Sequence, residues 1–168
     1  MDLVAGLIMT AIPDAAPPLL NVDIEGLARP IYRVYPLVDH IADKVCAIYQ
    51  MHTTADGIPI ASSRIKDFVD LAIIAATQRI NALALRTALL SETARNNLTV
   101  PNHFAVPNES LWMPGYEKLA SESGVLAGHR TYEAGRQLVA EFLNPIFDDA
   151  AIGTWQPNGQ TWQTDLFQ

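Results

Sequence analysis

The sequence changes its pattern at Pro36, and this change limits what the chain can fold into. Residues 3–10 and 30–36 are rich in Val, Ile and Tyr, which predicts two strands joined by the proline-rich residues 12–20. From Pro36 to about Met51 the apolar residues instead recur at the spacing of a helix that starts at Pro36, namely at Leu37, Ile41, Val45 and Ile48. The pattern therefore predicts an α+β fold that is mostly helical.

Four further helices are predicted after this first one, over residues 63–77, 81–95, 116–123 and 131–147. Ser62 or Ser63 is expected to cap the first of them and Asn81 the second, because their side-chain oxygens can accept a hydrogen bond from the first helical turn. Turn formers and prolines predict loops over residues 53–59 and 96–114. Residues 153–162 carry a Pro-Asn-Gly turn between two tryptophans, which predicts a short hairpin packed on the helices.

The composition fits one globular domain. With 168 residues, of which 49% are hydrophobic and 17% charged, the chain can bury a core, and wholesale disorder is excluded. A net charge of -7 excludes a protein that binds a polyanion over its whole surface, although a local basic patch is compatible with this charge. Cys46 is the single cysteine, which indicates a reducing compartment. Because the sequence has neither a basic leader nor an apolar run of about 18 residues, we expect a cytoplasmic protein without a membrane span.

One lysine and two aspartates occupy unusual positions in the predicted helices. On the first helix Lys44 borders the apolar face, and on the second helix Asp67 and Asp70 lie within one apolar neighbourhood. Two like charges held there need a cation, a metal or a proton. One interpretation is structural: Lys44 and Arg64 neutralise the aspartates and tie the helices together. The other is functional: the lysine holds a phosphate beside acidic groups that orient it or a metal. The spacing leaves both open.

A resemblance to a known family is carried by residues 35–47 (YPLVDHIADKVCA) and 62–71 (SSRIKDFVDL), and extends to 142–145 (FLNP) and 153–155 (GTW). A lysine-bearing helix followed by Arg-x-Lys-Asp-x-x-Asp-Leu is similar to the AbiEii/AbiGii-type nucleotidyltransferase toxins of bacterial toxin–antitoxin systems. The resemblance implies a nucleotidyltransferase palm followed by a helical C-terminal domain. Residues 1–36 would then be the last palm strands, and residues 37–168 the helical domain.

The resemblance also implies a chemistry and partners. The family transfers a nucleotide from a nucleoside triphosphate to an acceptor with Mg²⁺ on palm carboxylates, and some members modify the 3′ end of tRNA; the partner is a cognate antitoxin. By the same resemblance Lys44 would contact the triphosphate, and Asp67 and Asp70 would match the last acidic catalytic motif. Arg64 and Lys66 would be further phosphate or RNA contacts.

The sequence departs from the family in one respect. The earlier palm motif, a Gly-Gly or Gly-Ser turn followed by Asp-x-Asp, does not occur in it. Asp2 would match a third acidic, metal-binding position of the palm, so we expect the sequence to begin inside the palm and to be weakly active or inactive as written. An alternative hypothesis is an inactive relative that binds an antitoxin or another partner through its N-terminal strands.

Overall fold

A computed structural model of the protein describes residues 8–18, 30–53, 56–99 and 101–164. It contains five α-helices and several short strands in these ranges, which confirms the α+β class. The helices are α1 (Leu37–Tyr49), α2 (Ile65–Thr77), α3 (Ala82–Arg95), α4 (Glu109–Glu122) and α5 (Tyr132–Phe147). A 3-10 turn at Ala127–His129 connects α4 to α5. No helix of the described residues is both long and apolar enough to cross a membrane.

The strands form three small antiparallel sheets. They are β1 (Asp14–Ala16) with β2 (Tyr32–Val34), β3 (His52–Thr53) with β4 (Pro59–Ile60), and β5 (Ile80–Asn81), β6 (Thr154–Gln156) and β7 (Thr161–Gln163) in that order. In the third sheet Trp155 of β6 lies opposite Ile80 on one side and Trp162 on the other. The predicted C-terminal hairpin is therefore confirmed, and it gains a third strand, β5, which directly precedes α3.

The prediction for the N-terminal strands is correct in one half only. The strand predicted over residues 30–36 is present as β2. In the strand predicted over residues 3–10, only residues 8–10 are described, and these are not in a strand. The partner of β2 is instead β1, which lies inside the stretch predicted to be a proline-rich connection. The two prolines that follow β1, at 17 and 18, end the strand rather than prevent it, because proline is tolerated at strand edges.

The starts of the first two helices also differ from the prediction. α1 begins at Leu37, one residue after Pro36, and α2 begins at Ile65 without a capping side chain among the described residues. The oxygen of Ser62 instead accepts a hydrogen bond from the amide of Arg64, at 3.2 Å. Asn81 caps α3 as predicted, with its side chain 3.0 Å from the amide of Ala84.

α4 begins seven residues earlier than the predicted helix. It runs through Pro114, a residue that removes one backbone hydrogen bond and usually ends a helix. Trp112, Tyr116 and Ala120 recur every four residues on its inner face, and each is 0% exposed. Burial of these side chains outweighs the local cost of the proline. The sequence predicted a loop here because the proline is visible in the local sequence and the burial is not.

α2 is the centre of the core and packs against α1, α4 and α5. Its Phe68 is 0% exposed, and its ring lies against four other aromatic rings, those of Phe104, Trp112, Tyr116 and Tyr132. The C-terminal hairpin closes the other end of α2, where the indole nitrogen of Trp155 donates to the carbonyl oxygen of Ala75 at 2.7 Å. α2 is thus held on several sides, which fixes its position relative to α1.

The packing of α5 on α4 predicts an unusual effect of a glycine substitution. A Cβ atom at Gly135 would overlap the hydroxyl group of Tyr116, which donates to the carbonyl oxygen of His129 at 2.7 Å. Although alanine favours helix, we expect Gly135→Ala to lower the free energy of unfolding by about 1–3 kcal/mol in urea denaturation. Gly128→Ala, where the added atom meets nothing within 4 Å, should change it by less than about 0.5 kcal/mol. Equal stabilities of the two variants would contradict the prediction.

Candidate functional site

Lys44 is buried between two carboxylates at the contact of α1 and α2. Its ammonium nitrogen lies 3.2 Å from Oδ1 of Asp67 and 2.5 Å from Oδ2 of Asp70. The lysine is only 7% exposed, because it lies between the buried residues Ile41 and Ile48 on α1. A cation at such a position would be strongly destabilised without partners. The two aspartates supply them, so the positions that the sequence singled out do come together.

The cluster extends outward through two exposed cations. Nε of Arg64 donates to Oδ2 of Asp67 at 2.7 Å, and Nζ of Lys66 donates to Oδ2 of Asp70 at 2.9 Å. The side chains of Arg64 and Lys66 are 62% and 77% exposed, whereas the two aspartates are mostly covered. The ion-pair geometry of the structural interpretation is therefore confirmed, with Lys66 as an additional member. Three cations surround two carboxylates, so the cluster carries one excess positive charge.

The charges of this cluster shift the titration of its members. Burial acts to raise the pKa of the Asp70 carboxyl, but the hydrogen bonds and charges of Lys44 and Lys66 outweigh it and hold that pKa below its ordinary value. The hydrogen bond to Asp70 raises the pKa of Lys66 in turn. Burial, followed by the charge of Lys44, lowers the pKa of His40, so this imidazole is mainly neutral at pH 7.

A cleft gives access to the cluster. It has a volume of about 200 Å³ and is lined by His40, Asp43, Lys44, Ala47, Arg64 and Asp67. The ammonium group of Lys44 has three N–H donors, and the two aspartates take two of them. Arg64 uses Nε on Asp67, which leaves the terminal nitrogens of its guanidinium for another acceptor. The cleft can therefore offer an anion the N–H donors of one lysine and one arginine. Such charged donors are the groups that bind phosphate oxygens in proteins.

Sequence reasoning missed a second charged cluster beside the cleft. Arg95 contacts Glu92 at 2.5 Å and Asp43 at 3.6 Å, and Glu92 is only 8% exposed. Burial and then the charge of Glu92 raise the pKa of Asp43 to about 6. The available signal was the spacing of Glu92, which follows Leu85 and Leu89 on the apolar face of α3. Asp2, the predicted metal ligand, lies outside the described residues.

The buried lysine predicts a large loss of stability on substitution. Lys44→Met would leave Asp67 and Asp70 without their shared cation, so we expect the free energy of unfolding to fall by about 3–5 kcal/mol. Lys66→Met removes an exposed partner of Asp70 and should lower the free energy of unfolding by less than about 1 kcal/mol. Chemical denaturation at pH 7 compares the two, and equal losses would show that burial does not govern this cluster.

The raised pKa of Asp43 predicts a pH dependence of stability. Because its folded pKa of about 6 exceeds the ordinary 3.8, the folded state binds more protons between these values, and stability falls as the pH rises through this window. Asp43→Asn should remove this fall in stability. The difference in stability between the variant and the wild type should therefore favour the variant more at pH 7 than at pH 4. Thermal denaturation at both pH values tests this. A pH profile unchanged by the substitution would contradict it.

A comparison with known families finds a match that spans most of the chain. Residues 7–157 match the family model described as nucleotidyl transferase AbiEii toxin, Type IV TA system. Searches of curated proteins and of solved structures found no match. The matched range covers most of the chain and includes both Lys44 and the Asp67–Asp70 pair, so the resemblance seen in the sequence is confirmed. The chain belongs to the AbiEii family of nucleotidyltransferase toxins of type IV toxin–antitoxin systems.

Proposed function

We propose that the cleft beside Lys44 binds the triphosphate of a nucleoside triphosphate, as the donor in nucleotidyl transfer to an RNA acceptor such as the 3′ end of tRNA. The observation that carries the proposal is the buried Lys44 ammonium, which borders an open cleft together with the exposed guanidinium of Arg64. Family membership supplies the reaction class, and an antitoxin is the partner that a type IV system implies.

Lys44 is suited to phosphate binding because it is already positioned. Asp67 and Asp70 orient its ammonium group from one side, and its third donor is left for an incoming oxygen. A charge that is held in place before binding does not have to be reoriented when the ligand arrives. In this proposal the two aspartates are therefore positioning residues that act through Lys44.

Arg64 and Lys66 extend the anion site toward solvent. The terminal nitrogens of Arg64 form a planar fork that matches two oxygens of one phosphate. Lys66, one turn from Asp70 on the exposed face of α2, adds a point charge that is available to a phosphate or to an RNA backbone. The exposed positions of both side chains let them move toward a ligand without unfolding the helix.

The family's chemistry implies Mg²⁺, but Asp67 and Asp70 do not fit as its ligands in this arrangement. Both oxygens of Asp67 contact a cation, Lys44 or Arg64, and Oδ2 of Asp70 contacts two. In the described part of the chain no group of three or more His, Cys, Asp and Glu side chains could hold a metal ion. The proposal therefore keeps the two aspartates as positioning residues for Lys44 and routes no step through the ion.

Isothermal titration with each of the four nucleoside triphosphates tests the proposal. We expect Arg64→Ala to weaken binding by about 10-fold, a loss typical of one charge-assisted contact, and Lys44→Ala to weaken it further. Lys118→Ala is the matched control, since this exposed lysine of α4 does not line the cleft. The melting temperature of each variant separates lost binding from lost folding. If Arg64→Ala folds and binds as the wild type does, the proposal is wrong, and the partner-binding hypothesis gains support.

A transfer assay examines the reaction itself. The purified chain is incubated with tRNA, Mg²⁺ and labelled nucleotides. Because the sequence has no Gly-Gly or Gly-Ser turn with Asp-x-Asp, we expect little incorporation. Robust incorporation that Lys44→Ala abolishes would overturn this expectation of weak activity and would support the assignment of Lys44.

A further inference from the structure

The N-terminal segment is fastened to α1 through one carboxylate. The amide of Thr10 lies 3.0 Å from Oδ1 and 3.1 Å from Oδ2 of Asp39, and its hydroxyl donates to Oδ1 at 2.7 Å. The amide of Ala11 donates to Oδ2 at 3.3 Å. The donors are 28 and 29 residues away from Asp39 in the sequence, so these bonds do not belong to a local turn. Both oxygens of this carboxylate are used by the N-terminal segment.

This contact contrasts with the exposure of the segment around it. Asp39 is 3% exposed, whereas Ile8 and Ile12 on either side of its donors are 59% and 87% exposed. Asp39 also lies in the first turn of α1, where the positive end of the helix dipole favours a carboxylate. A buried carboxylate with three donors therefore links residues 8–18 to the helices.

The fastened segment leads to the rim of the cleft. β1 follows Ala11 and pairs with β2, and Tyr35 comes directly after β2. The ring of Tyr35 lies edge-on to the ring of His40, with 6.4 Å between their centres. Burial, followed by the charge of Asp43, raises the pKa of the Tyr35 hydroxyl. His40 and Asp43 both line the cleft. The ribbon of β1 and β2 thus contacts α1 at two places, through Thr10 and Ala11 before β1 and through Tyr35 after β2.

We propose that Asp39 is a positioning residue, which seats the N-terminal segment on α1 and thereby places Tyr35 at the rim of the cleft beside His40 and Asp43. The effect of this seating on nucleotide affinity rests on the proposed function. The seating itself does not, because it is a property of the unliganded chain.

Hydrogen exchange of the full chain tests the seating. We expect the amides of Thr10 and Ala11 to be protected in the wild type. Thr10→Val, which removes only the hydroxyl bond, should speed their exchange about 10-fold, and Asp39→Ala should speed it further, with faster exchange also in β1 and β2. Thr10→Ser keeps a hydroxyl and should behave as the wild type does. Protection in α2 and α5 should not change, which would show that the variants still fold.

Affinity for ATP, measured by titration on the same variants, then reports the functional consequence. We expect ATP affinity to fall by about 3-fold in Thr10→Val and by about 10-fold in Asp39→Ala. Thr10→Ser should bind ATP as the wild type does. Exchange of Thr10 and Ala11 that is fast in the wild type, or equal in all variants, would overturn the role of Asp39. Altered exchange with unchanged ATP affinity would overturn its link to the cleft. If the wild type binds no nucleotide, the proposed function fails, while exchange still decides whether Asp39 seats the segment.

Discussion

The buried contact of Lys44 with Asp67 and Asp70 is the constraint on which the rest of the structure depends. A lysine at this depth is tolerated only when carboxylates of another element reach it, so α1 and α2 have one acceptable register. That register also sets where the apolar residues of both helices meet, because these residues lie in the same helical turns as Lys44 and the two aspartates. Core packing and ion pairing thus specify the same arrangement of the two helices.

This arrangement lets one ion-pair cluster hold two helices together and, in the proposed function, contact a ligand. The aspartates accept from two of the three donors of the Lys44 ammonium, and Arg64 lines the same cleft as a second cation. The interpretations that the sequence left open, a helix tie and a phosphate contact, are therefore compatible in geometry. Asp43 lines the same cleft and belongs to the neighbouring network with Glu92, where burial and then the charge of Glu92 raise its pKa to about 6.

Sequence reasoning succeeded where a single element carries its own signal. The apolar spacing of α1, the cap at Asn81 and the turn between the two tryptophans are local patterns, and the structure confirms each of them. It failed where tertiary burial outweighs local preference. Pro114 inside α4 is the clearest case, since the residues around it are helical because Trp112 is buried on the core and not because the local sequence favours a helix.

The sequence by itself determined the fold class, the family and the side chains that border the apolar faces of their helices, because spacing along one helix decides which residues share a face. Only the tertiary structure decided which charges meet: that Lys44 takes both aspartates, that Glu92 shares Arg95 with Asp43, and that Asp39 accepts donors from the N-terminal segment. Each of these contacts includes at least one pair of residues far apart in the chain, such as Arg95 with Asp43. Such pairs depend on how the helices pack, which spacing within one helix does not specify.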